Sequence, residues 1–174
     1  GGGNSELQCY TDRDANSAVA DGVLTITALE EEFTGPAEPL EWGTAAGTKT
    51  QQYTSARLTT QGKGDWTYGR IEVRAQLPGG QGVWPAIWML PTDSVYGTWA
   101  ASGEIDIMEA VNLDAEGLMS VYATLHFGGT ARRTSTPARP ISRAPLTRSQ
   151  TFHTYAIESV RHRDFAGMST TSTT

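Results

Sequence analysis

The chain has 174 residues, 38% of them hydrophobic and 9% aromatic, enough for one ordinary core, and no run of about eighteen apolar residues offers a membrane span. Its net charge of −6 is unevenly spread: residues 1–130 carry 6 basic against 17 acidic side chains, whereas residues 131–174 carry 7 against 2. So acidic a main body argues against nucleic acid as the partner, and the single cysteine, Cys9, rules out an internal disulfide.

The 19 glycines and 8 prolines suit a turn-rich all-β chain. No leader is visible, and Gly1 opens almost directly onto strand-like sequence. Residues 6–10 and 23–28 read as strands, separated by a polar loop that ends in the turn pair Asp21-Gly22. Residues 30–50, with Glu30-Glu31-Glu32, Gly35-Pro36 and Gly43, read as an irregular loop whose acids are solvated. A strand is expected over 53–59, carrying Arg57.

From Tyr68 to Leu77 the alternation is clean. Arg70, Glu72, Arg74 and Gln76 share one face and Ile71, Val73, Ala75 and Leu77 the other, as in an antiparallel sheet wet on one side. Pro78-Gly79-Gly80 ends it. Over 83–90, Trp84, Ala86, Trp88 and Leu90 fall on one face. Pro85 cannot donate to a ladder, so this strand belongs at an edge or carries an irregularity.

The next strand, Gly103-Glu104-Ile105-Asp106-Ile107-Met108-Glu109-Ala110, concentrates three carboxylates within six residues. Strict period two would put Glu104 and Asp106 on one face but send Glu109 into the apolar layer, at a cost of several (~2–7) kcal/mol, and Met108 into water. One extra residue near Ile107-Met108, absorbed as a β-bulge, resolves both conflicts and returns Glu109 to the carboxylate face. Glu104 and Glu109 are then about four strand steps apart, ~13 Å at the backbone. Long side chains leaning together on a concave strand approach the ~5–5.5 Å carboxyl separation of a retaining glycosidase. Like charges that close cannot all ionise, so one group is kept protonated as an acid while another stays a nucleophile. A merely solvated acidic face is the alternative. Beyond a loop at 112–119, residues 121–127 alternate again, with Tyr122, Thr124 and His126 on one face. Residues 131–150 hold five arginines, three prolines and no acid, and read as a flexible basic loop.

GEIDIMEA resembles the signature of glycoside hydrolase family 16 in the bulged form of bacterial laminarinases, which are endo-β-1,3-glucanases. Further stretches resemble that family in the same order: Asn4 to Gln8 with Tyr10-Thr11-Asp12, Tyr53 to Arg57, Tyr68 to Glu72, Trp84 to Leu90, His126 to Gly129, and Phe152 to Glu158. The resemblance covers residues 1–158. It implies an antiparallel β-sandwich (jelly roll, concanavalin A-like) with a concave cleft, here a partial catalytic domain short of its C-terminal strands. Residues 159–174 are expected to be a non-matching, disordered tail.

By the same resemblance, Glu104 is the nucleophile, Glu109 the acid/base and Asp106 their support. Asn4, Arg57, Trp84, Trp88, Trp99 and His126 are substrate-binding candidates. For Asn4 a loop amide that satisfies backbone groups is an equal alternative, and for Arg57 a structural ion pair. His126 either tunes Glu109 or contacts the aglycone sugar. Trp42 and Trp66 match no motif. The implied reaction is retaining hydrolysis of internal β-1,3 linkages in a neutral β-glucan, with no cofactor. Calcium, which some relatives hold through C-terminal residues, is not supported here. A secreted monomer with no membrane partner is expected. The rival readings are a non-catalytic β-glucan-binding module, the same chemistry on mixed-linkage glucan, agar or carrageenan, and an inactive fragment.

Overall fold

The computed structural model describes residues 4–37, 47–115, 120–128 and 151–159, together with the backbone of 140–145. Every regular element among them is a strand, eleven in all, and the chain divides into two compact units, residues 1–60 and 61–174.

In the first unit, β1 (Gln8–Tyr10) pairs in parallel with β5 (Thr48–Ser55), which pairs antiparallel with β4 (Leu29–Pro36). A separate hairpin joins β2 (Ser17–Ala20) to β3 (Val23–Ile26). The expected turn closes it: Asp21 and Gly22 both take positive φ, 51° and 76°, the backbone of a tight two-residue hairpin.

The stretch 30–50 is not simply a loop. β4 alternates because Leu29, Glu31, Phe33 and Gly35 turn inward. Glu31 tolerates that side because Arg13 and the Thr54 hydroxyl both bond its carboxylate, which also holds it below the usual carboxylate range. Asn16, fully buried, joins the same network, donating to the Thr27 carbonyl and to Thr54 Oγ1 at 3.0 Å each. Only Glu30 and Glu32 are exposed as expected. Pro36 is accommodated because β4 lies at the edge of its sheet.

The second unit is a sandwich of two antiparallel sheets. One runs β10 (Pro140–Pro145), β9 (Ser120–His126), β8 (Glu104–Glu109), β7 (Ala86–Met89), and the other pairs β11 (Phe152–Ser159) with β6 (Gly69–Gln76). Their facing sides meet in one core of Leu77, Ile107, Met108, Ala110, Leu113, Val121, Tyr155 and Ile157. Ile71 and Ala75 from β6 and Ile87 and Met89 from β7 pack against it. The expected outward face of β6 is observed: Arg70 pairs with Glu72 at 2.8 Å, and the Arg74 guanidinium sits 4.3 Å from the Phe152 ring. Among the described residues β7 lies at an edge, and its pairing with β8 also shifts register between Ile87 and Trp88, so both settings expected from Pro85 are present.

Within the expected basic loop, residues 140–145 form β10 and close the other side of that sheet. Prolines at both its ends disguise it as a loop, yet an edge position tolerates them. The rest of that loop, the expected tail from 160 onward and Trp42 lie outside the described residues.

Candidate active site

The site is built by the bulge in β8. Toward β7, Met108 pairs with Ile87 and Asp106 with Trp88, so Ile107 is the extra residue; toward β9, Ile107 and Met108 together face a single position between Thr124 and Tyr122. Ile107 and Met108 are both buried, at 3% and 1% exposure. The apolar layer therefore receives two consecutive side chains, and Glu109 returns to the face of Glu104 and Asp106, as the sequence anticipates.

Across that face the residues align in rows. Glu104 is opposite His126, Asp106 lies between Trp88 and Thr124, and Glu109 lies between Ala86 and Tyr122. The row order follows from the matched alternation of β7, β8 and β9 once the bulge is counted.

Each outer carboxylate accepts a hydrogen bond from an indole. Trp99 Nε1 donates to Glu104 Oε2 at 2.8 Å, and Trp84 Nε1 donates to Glu109 Oε2 at 3.2 Å. Trp84 sits on a segment stitched to the far end of β8: the amides of Ala110 and Asn112 donate to the carbonyls of Pro85 and Val83, and Gly82 N–H donates to Asn112 Oδ1. Trp99 sits on a loop closed by Ser102, whose hydroxyl donates to the Gly97 carbonyl and accepts from the Tyr96 amide. Stacking surface was legible in the sequence; the direction of the two N–H groups was not.

His126 lies at the Glu104 end rather than beside Glu109. Its Nε2 is 3.0 Å from Asp106 Oδ2 and 3.7 Å from Glu104 Oε1, and its ring tilts against Trp99 with centroids 5.6 Å apart. This corrects the expected tuning of Glu109 by His126: Glu104 and His126 are paired across the sheet, two rows away from Glu109. Asp106 is the group whose ionisation is displaced. Burial, followed by the charges of Glu104 and Glu109, pushes its pKa up to about 6, against a smaller opposing pull from His126. Donor atoms of Glu104, Asp106 and His126 lie within 4.8 Å of one another, close enough to share a divalent ion, although the carboxylates are already bonded by Trp99 and His126.

Four of the six binding candidates, Trp84, Trp88, Trp99 and His126, thus meet the carboxylate face. Asn4 and Arg57 belong to the first unit. Asn4 is exposed in a turn at φ 61°, and Arg57 is half-buried two residues beyond the end of β5, where its charge acts on Tyr10. The strand expected over 53–59 stops at Ser55.

Three acids in a row on one face of a β-sandwich, each outer one held by an indole whose ring stays open to solvent, are an arrangement of the kind found in glycoside hydrolase catalytic domains. The chain belongs to the XgeA-like catalytic domains of glycoside hydrolase family 16 (GH16), whose family model matches residues 16–170. It is 49% identical over 131 residues to the glucan endo-1,3-beta-glucosidase A1 of Niallia circulans, covering 74% of this chain and 17% of that protein. It is also 45% identical over 164 residues to a beta-glucanase of Rhodothermus marinus, covering 91% of this chain and 50% of the relative. The solved laminarinase from Rhodothermus marinus superposes with a TM-score of 0.72 at 41% identity, over 91% of this chain and 57% of that one. The likeness bears out the jelly-roll sandwich expected from the sequence. The chain spans half or less of the length of these two curated relatives.

Proposed function

We propose that the protein carrying this chain hydrolyses internal β-1,3-glucosidic linkages of a neutral β-glucan such as laminarin, with retention at the anomeric carbon. The observation that supports it most is the bulge that sets Glu104, Asp106 and Glu109 on one face with an indole donor on each outer acid. The names of the relatives, glucan endo-1,3-beta-glucosidase and laminarinase, supply the linkage.

In this mechanism Glu104 attacks the anomeric carbon while Glu109 gives its proton to the departing glycosidic oxygen. Esterification removes the charge of Glu104, and Glu109 then takes a proton from the water that releases the product. Asp106, held largely protonated below about pH 6, keeps negative charge away from the centre of the row. Trp84, Trp88 and Trp99 offer ring faces to sugar C–H surfaces, and His126 offers a polar contact to a hydroxyl. No step uses a metal. Secretion accords with a polymeric substrate too large to enter a cell.

Reducing-sugar release from laminarin, mixed-linkage glucan and agarose tests the reading. Laminarin is expected to be cleaved, and Glu104→Gln to bind it without turnover. Ordinary hydrolysis by that variant refutes the nucleophile assignment. Binding without products by the unaltered protein favours a glucan-binding module, and preferential release from agarose moves the substrate.

A further inference from the structure

Trp99 is 60% exposed, so burial does not account for its orientation. What fixes it is the loop beneath. Ala100 is buried, its carbonyl accepts from the Gly103 amide, and the Thr98 carbonyl accepts from the Ala101 amide. The outcome is asymmetric at Glu104: Oε2 receives the indole N–H at 2.8 Å, whereas His126 Nε2 stands 3.7 Å from Oε1. A 2.8 Å N–H donor to a carboxylate is a strong, charge-assisted bond, and its strength follows the charge on the oxygen.

We infer that Trp99 is a positioning residue for the second half of the reaction, holding Glu104 as the leaving group when the glycosyl-enzyme is hydrolysed. The inference rests on the proposed role of Glu104 as nucleophile. In the first step Oε1 bonds to the anomeric carbon, the glycosidic C–O bond breaks, and the departing oxygen takes its proton from Glu109. Glu104 loses charge in that step, so the indole bond weakens on the way to the transition state. In the second step a water oxygen bonds to the anomeric carbon and its proton passes to Glu109. The C–Oε1 bond breaks and its electron pair returns to Glu104. Charge now grows on the carboxylate while a donor is already aimed at Oε2. The interaction is therefore stronger in the transition state than in the ester, which is the condition for accelerating a step.

The test uses the full chain and a 2,4-dinitrophenyl β-laminaribioside, whose leaving group needs no acid. Dinitrophenol release is followed through the burst and the steady state, and the covalent adduct is measured by intact mass and mapped by peptide analysis. Trp99→Phe keeps a ring and loses the N–H. It is expected to leave the burst rate unchanged or faster and to lower steady-state kcat about tenfold, as loss of a hydrogen bond to a charged group predicts. KM falls with kcat, and adduct on Glu104 accumulates. Trp99→Leu also lacks the N–H and in addition loses the ring face offered to the sugar, so its adduct must rise in the same way at saturating substrate, and a folding defect in one variant leaves the other decisive. A burst slowed as much as turnover, or an adduct level unchanged from the unaltered protein, overturns the inference while leaving Glu104 as nucleophile. Adduct mapped to a residue other than Glu104 overturns both.

Discussion

Replacing Asp106 by asparagine is expected to stabilise the protein at neutral pH while impairing it as a catalyst. Asp106 is 5% exposed, faces His126 at 3.0 Å, and lies in the row between Glu104 and Glu109. Its pKa stands at about 6 in the folded chain against a usual 3.8. An acid whose folded pKa is raised contributes stability that is fully present below the unfolded value and is lost as pH rises through the folded one. The window is thus roughly pH 4 to 6. At ~1.4 kcal/mol per tenfold, the cost of holding Asp106 ionised above that window is on the order of 3 kcal/mol. Asparagine keeps the shape and one acceptor and never ionises. Urea unfolding of both proteins at several pH values measures the difference. The variant should be more stable above about pH 6.5, by an amount that shrinks through the window and vanishes near pH 4. An aspartate protein more stable than its asparagine variant at pH 8 would refute the reasoning and show that His126 outweighs burial and the two glutamates.

Two further perturbations address each unit separately. Deleting Ile107 removes the extra residue of β8 and directs Glu109 into the apolar layer, so the melting temperature should fall by far more than for Ile107→Val, which costs about 1 kcal/mol; a near-native melt with intact glucan cleavage would contradict the role given to the bulge. Asn16→Ala, in the first unit, strips two donors and an acceptor from a fully buried network and should cost on the order of 3 kcal/mol in chemical denaturation. A loss below about 1 kcal/mol would mean that water takes over those bonds.

The strands that were legible in the sequence are those whose alternation survives intact. β6 and β9 each present one apolar and one polar row, and β8 betrays its bulge because two residues in succession must be buried, whereas β11, with both rows mixed, was marked only by its resemblance to the family. β4 was hidden for a physical reason: its inward positions include Glu31, and hydropathy does not reveal that Arg13 and Thr54 wait for it. β2 was hidden by its composition, Ser-Ala-Val-Ala with one β-branched residue in four, and β10 by its terminal prolines. At the site, the carboxylate row and the tryptophans were legible from spacing and motif. The partner of His126 was not, because it depends on which row of β9 faces which row of β8. That register is set only when the bulge is counted on both sides.

Among the described residues, the two outer strands of the four-stranded sheet share a feature that bears on edge-to-edge pairing. β7 is preceded by Pro85 and followed shortly by Pro91, and β10 begins at Pro140 and ends at Pro145. A strand from another molecule aligning along either side would meet residues that have no amide hydrogen to offer, so a lengthening ladder is interrupted within a few residues. Among the described residues, the sheet that carries the carboxylates thus has a proline beside each of its outer strands. Substituting these prolines with threonine would leave the row of acids intact while restoring the amide hydrogens that edge-to-edge pairing needs.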